Sequence, residues 1–194
     1  MQPPVRLILA SGSIGRRELL RRAGYDFEIR PTDIDEPTGD GVSDVRAFVQ
    51  QLAWLKAAVA AAQVPEGIIL AADTVGWLNG QVIGKPADAA DARRILRLLA
   101  GAVHELWTGV CLWRKPDDIQ FAWQEMSRVA MRHMSESELD VYLASRLWQG
   151  CSGAYAIQEY DDPYVRVVEG SVSNVIGLPM ETLERMLEWL ARGG

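Results

Sequence analysis

Val5-Arg6-Leu7-Ile8-Leu9-Ala10-Ser11-Gly12-Ser13, followed by Ile14 to Gly24, reads as a strand, a short polar loop and a helix. The aliphatic and β-branched run suits a buried strand, and Gly24 is placed like the glycine that follows a helix C-terminus. This unit points to an α/β fold and also builds a chemical site. Backbone N–H groups at a helix start attract an anion, and the hydroxyls of Ser11 and Ser13 add donors. Arg16 and Arg17 lie in the first turn, where cations oppose the helix dipole. A bound phosphate offsets that cost; a serine-capped helix with solvated arginines is the plainer alternative. The spacing matches neither the P-loop nor the dinucleotide fingerprint.

Downstream, Asp26 to Arg30 reads as a second strand, and the acidic stretch from Pro31 as a loop ending at a cap on Ser43 or Asp44. Within that loop, Asp33, Asp35 and Glu36 offer oxygen ligands to a hard cation, or simply a solvated acidic turn. Val45 to Ala62 is the clearest helix, with Val45, Phe48, Val49, Leu52, Leu55 and Val59 on one apolar stripe. At ~100° per residue Lys56 falls inside that stripe, whereas Gln50 and Trp54 point away from it. A lysine there must snorkel, pair with a carboxylate or hold a ligand.

Gly67 to Ala72 reads as a buried strand ending at Asp73-Thr74. Open α/β sheets place ligands at strand ends, so Asp73 is a candidate metal ligand or water-activating base, with a turn-forming aspartate as the alternative. Asn79-Gly80 predicts a type I′ hairpin between Val75 and Ile83, closed by Gly84-Lys85-Pro86. Lys85 is either a phosphate partner or a solvated loop cation. Helices are expected from Asp88 to near Gly101, from Ser135 to about Trp148 behind a Ser135–Glu138 capping box, and from Pro179 through Leu183, Met186, Leu187 and Leu190. Strands are expected at Val103 to Trp113, Ile119 to Met131, Ala154 to Gln158 and Tyr164 to Val168, with His104 structural. The pattern predicts one α/β domain over residues 1–194, a mixed sheet flanked by helices.

Totals exclude several classes. With 26 acidic and 20 basic residues the net charge is -6, which disfavours a nucleic-acid polymer as partner but leaves room for a single nucleotide. Cys111 and Cys151 lack metal or redox spacing, and only His104 and His133 are present, so a histidine-rich metal site is not expected. Lys56 interrupts the longest apolar run, and no signal-peptide pattern is found, so a cytoplasmic protein without a membrane span is expected.

Taken together, these pieces resemble the Maf family of nucleoside triphosphate pyrophosphatases. The matching segments are Leu9 to Ser13 with Arg16 and Glu18-Leu19-Leu20, Leu52-Ala53 with Lys56-Ala57, and Ala72 to Val75 with Gly84-Lys85-Pro86. Thr108-Gly109-Val110, Gly153-Ala154-Tyr155 with Ile157-Gln158, and Asn174 to Pro179 complete the set. The resemblance implies a strongly curved sheet of Maf/ITPase-like architecture with two lobes around a central cleft. It implies hydrolysis between the α and β phosphates with magnesium or manganese as cofactor, and a homodimer. By position it makes Asp73 the water-activating residue, Arg16, Lys56 and Lys85 phosphate holders, Ser11 and Ser13 loop ligands, and Glu36 a metal ligand beside Asp73. Thr74 and Gln158 match the branch acting on dTTP and UTP; modified nucleotides are the other candidate substrates. Two positions depart from the family pattern: Gly15 removes a side chain from the base or phosphate pocket, and Cys151 stands where a lysine is usual. A nucleotide-binding regulator of cell division is the alternative function, and a phosphomonoesterase ranks last for want of a nucleophile motif.

Overall fold

A computed structural model of the chain describes residues 6–157 and 162–191. The opening unit folds as read: β1 (Leu7–Leu9) runs through the serine loop into α1 (Ile14–Arg22), and β2 (Phe27–Ile29) follows. Next come α2 (Val45–Ala61), β3 (Gly67–Leu78), β4 (Gln81–Ile83) and α3 (Ala89–Leu99). The long strands β5 (Val103–Lys115) and β6 (Ile119–Met131) precede α4 (Glu136–Ser145), β7 (Val165–Glu169), α5 (Val172–Ile176) and α6 (Met180–Ala191). The strands form one mixed sheet in the order β2-β1-β3-β5-β6-β7, with β4 also paired to β3. β2, β1 and β3 are parallel and the remaining pairs antiparallel.

Local chemistry explains most boundaries. Asp44 caps α2 by accepting from the N–H groups of Arg46 and Ala47, Asp88 caps α3 through Asp91, and the Ser135–Glu138 capping box starts α4. Asn79 and Gly80 both take positive φ, 51° and 78°, as a type I′ turn between Leu78 and Gln81 requires.

The structure departs from the sequence reading in four places. β3 does not stop at Asp73-Thr74 but continues to Leu78, because Gly67 to Trp77 pair without a break with β5 and Leu78 pairs with Gln81 of β4. α4 ends at Ser145 rather than Trp148, since Arg146 turns left-handed at φ 60°. Residues 154–157 form no strand; Ser152–Ala154 is a single 3-10 turn. α5 is a short helix where none was expected.

Two cores flank the first strands. On one face Ile8, Ile69, Ala71 and Cys111 pack against Ala53, Ala57 and Ala60 of α2. On the other Leu7, Leu9, Leu70 and Leu112 meet Leu20 of α1 and Leu183 and Leu187 of α6. The α2 contact centres on Leu52, Ala53, Ala57 and Ala60, and Val59 lies at its edge, 36% exposed. Small residues let the helix lie close to the sheet. Gly109 makes the same allowance, for a Cβ there would sit 2.2 Å from the carbonyl oxygen of Val49. No helix among the described residues is long and apolar enough to cross a membrane.

Candidate active site

Alternation along β3 sends neighbouring side chains to opposite faces of the sheet. Ile69 and Ala71 face α2, so Asp73 does too; Leu70 and Ala72 face α1 and α6, so Thr74 does too. The two groups still converge because of a notch in the sheet. On that side β3 pairs with β1 only as far as Leu70 and with β4 only from Gly76. Between those points lie Ala71 to Val75, and there loops rather than a strand cover the edge. Ser152 contributes one cover, its hydroxyl donating to the carbonyl of Thr74 at 2.6 Å.

On the α2 face Lys56 is the buried lysine of the apolar stripe, 7% exposed. Its ammonium donates to Oδ1 of Asp73 and meets Oε1 of Glu36 at 2.7 Å. Asp73 is buried, and Glu36 lies on the exposed loop. Partial burial pushes the Glu36 carboxyl up, but the hydrogen bond from Lys56 and the charges of Lys56, Lys85 and Arg16 together hold it below the usual range. A lysine between two carboxylates satisfies the cost of burying charge, and removing one member leaves the others uncompensated.

On the α1 face Arg16 is equally buried, at 8% exposure. Its Nε donates to the carbonyl of Gly177 at 2.9 Å, Nη1 to Ser11 Oγ at 3.0 Å and Nη2 to Thr74 Oγ1 at 3.0 Å. Burial lowers its pKa, while the charges of Asp73 and Glu36 oppose that shift. Ser13 is the helix cap, accepting from the N–H of Arg16, and the N–H of Ser13 donates to Ser11 Oγ. Lys85 is exposed, and its charge reaches both Glu36 and Cys151. Three cations and two carboxylates from five separate segments thus meet at the notch.

The family model for Maf-like protein matches residues 6–190. The chain belongs to the Maf family. A dTTP/UTP pyrophosphatase of Anaeromyxobacter sp. is 42% identical over 200 aligned residues, 97% of this chain and 95% of the relative. A dTTP/UTP pyrophosphatase of Rhodopirellula baltica is 39% identical, covering 95% of this chain and 82% of its own length. The protein of the same name from Bacillus cytotoxicus is 37% identical with 97% of each chain covered. Among solved structures, a nucleoside-triphosphatase / dITP/XTP pyrophosphatase from Mycobacterium abscessus aligns over 96% of this chain and 97% of its own, at 15% identity and a TM-score of 0.47.

The Maf motifs therefore have physical partners here. Gly15 does not border empty space, since a Cβ there would lie 2.7 Å from Cγ2 of Ile176 in α5. Cys151 is half-buried; burial pushes its thiol up, and Lys85 pulls the other way. Gln158 lies outside the described residues. Asp33 and Asp35 are exposed on the loop that carries Glu36. His104 is structural, with Nε2 2.7 Å from the Tyr155 hydroxyl and burial pushing its pKa down to about 4. Three contacts escaped the sequence reading: Ser152 on Thr74, Thr108 on Thr74, and the Gly177 carbonyl on Arg16. The threonine pair had one signal, because a 12-residue β3 in register with β5 sets Thr74 opposite Thr108.

Proposed function

We propose that the chain hydrolyses nucleoside triphosphates between the α and β phosphates, releasing a monophosphate and pyrophosphate. The observation that carries the reading is that buried Arg16 and Lys56, with the exposed Lys85, gather their charges around Asp73 and Glu36 at one notch in the sheet. Relatives up to 42% identical and named dTTP/UTP pyrophosphatases support dTTP and UTP as its first substrates. Hydrolysis of a polyphosphate needs charge neutralisation and positioning more than covalent chemistry. In this reading Asp73 accepts the proton of the attacking water, and Arg16, Lys56 and Lys85 neutralise the phosphates. Ser11, Ser13 and the first N–H groups of α1 line the phosphate loop.

A divalent metal fits the donors present. The carboxylates of Asp73 and Glu36 both point at the Lys56 ammonium, and carboxylate oxygens suit magnesium or manganese. No cluster of three or more His, Cys, Asp or Glu is found among the described residues, so water and phosphate oxygens would complete the shell. Such an ion supplies Lewis-acid stabilisation of phosphate charge. Asp73 and Glu36 would hold it.

A panel of triphosphates with magnesium or manganese tests the reading. Pyrophosphate release is expected, fastest with dTTP or UTP. Tight binding without turnover across the panel favours the nucleotide-binding regulator instead. A homodimer and a cytoplasmic location complete the proposal, the first checked by light scattering and the second by fractionation.

A further inference from the structure

We infer that Thr108 and Asn174 are positioning residues for the Arg16 guanidinium, acting through Thr74 along a one-way chain of hydrogen bonds; the catalytic consequence rests on the function proposed above. The direction follows from counting hydrogens. A threonine hydroxyl carries one hydrogen. Thr108 spends its own on the carbonyl of Asn174, at 3.0 Å. It can therefore only accept from Thr74, whose Oγ1 lies 3.0 Å away. With its hydrogen committed to Thr108, Thr74 takes the N–H of Arg16 Nη2 on a lone pair. The row runs from guanidinium to Thr74, to Thr108, to a backbone carbonyl, and neither end can reverse it.

That carbonyl is itself fixed. Asn174 is 1% exposed, and its Nδ2 donates to Ser127 Oγ at 2.9 Å and toward the carbonyls of Leu106 and Glu125. The other anchor of Arg16, the Gly177 carbonyl, lies just past the same helix at φ 125°, where a side chain would be strained and its Cβ would sit 3.1 Å from Arg16 Nε. The middle of α5, through Asn174, and its C-cap, Gly177, thus hold one arginine. Three of its five N–H groups are used within the described residues, and two remain to meet a phosphate. A guanidinium held in place needs no reorganisation when charge develops.

Turnover of Thr108→Val and Thr108→Ser, each alone and with Arg16→Met, tests this together with NMR of the Arg16 Nη groups. In Thr108→Val, kcat/KM should fall ~10- to 100-fold, the scale expected when a positioned group shifts by about an ångström. Thr108→Ser should recover to within about threefold of wild type. In the Arg16→Met background Thr108→Val should cost less than about twofold more, because its effect passes through the lost arginine. The two Nη signals should be separate in wild type and in Thr108→Ser and average in Thr108→Val. Thr108→Ala serves the same readouts should Thr108→Val prove too unstable to purify. An unchanged kcat/KM in Thr108→Val, an equal loss in the Arg16→Met background, or Nη signals that stay separate overturns the inference. A wild type that turns over no triphosphate overturns the proposed function instead, and the Nη signals alone then decide whether Thr108 holds Arg16.

Discussion

His104 and Thr108 lie on the same face of β5, both with almost no exposure, yet their surroundings differ in kind. His104 meets the Tyr155 hydroxyl, its Nδ1 has no hydrogen-bond partner among the described residues, and it stands opposite Val129 of β6. Its imidazole is kept neutral by burial, with a pKa near 4. Thr108 belongs to a row that ends on a charged guanidinium beside Asp73 and Glu36. Burial of a polar side chain is therefore a poor guide to function. What separates the two is where the hydrogen bonds lead: one pair closes on itself, and the other delivers orientation to charges at a notch in the sheet.

The sharpest way to break that contrast is at the notch itself. Asp73→Asn keeps the shape and removes the base, so turnover should fall on the order of a thousandfold, within the range for loss of a general base. Circular dichroism should show the fold retained; full activity in that variant would remove Asp73 from the chemistry. Lys56→Met strips the shared cation from two carboxylates, one of them buried. Urea unfolding at neutral pH should report a loss of about 3–5 kcal/mol, the cost of orphaning a buried charge. Loss under about 1 kcal/mol would mean the carboxylates relax into water.

His104→Gln probes the other side of the contrast. Turnover should stay within about twofold of wild type, while the pH dependence of stability changes. The folded pKa near 4 lies below the ordinary 6.5, so between these values the unfolded chain binds a proton that the folded chain does not. Stability should then be full above pH 6.5 and fall as the pH drops toward 4, by up to about 3 kcal/mol at about 1.36 kcal/mol per unit. Thermal melts across that window should be flatter for His104→Gln; an unchanged slope would mean His104 does not titrate as its burial implies.

The smallest effect concerns Gly15. Glycine to alanine inside a helix ordinarily stabilises by about 1 kcal/mol. Here the added Cβ meets Ile176, so Gly15→Ala should give no gain, and the missing gain should return in an Ile176→Ala background. A stabilised single variant would show that α5 gives way easily.

Elements set by local chemistry were legible in the sequence. The serine loop, the Asn79-Gly80 turn, the Ser135–Glu138 capping box and the misplaced Lys56 each carry their signal within a few residues. Lys56 was the most informative, because a cation inside an apolar stripe demands a partner, and Asp73 proved to be one. What could not be read depends on contacts between distant segments. β3 runs past Asp73 because β5 pairs with it, so the site sits in a notch along a strand rather than at a strand end. Ile176 fills the space at Gly15 from the far end of the chain, and α5, with five residues, is too short to show a periodicity. The same holds for the row from Arg16 to Asn174, whose members share no sequence neighbourhood.

Phosphorus NMR of wild-type protein acting on dTTP or UTP with magnesium tests the central claim most directly. The expected result is the nucleoside monophosphate and inorganic pyrophosphate appearing in equal amounts, with no diphosphate at any time. Nucleoside diphosphate with orthophosphate, or no change in the triphosphate signals, would contradict it.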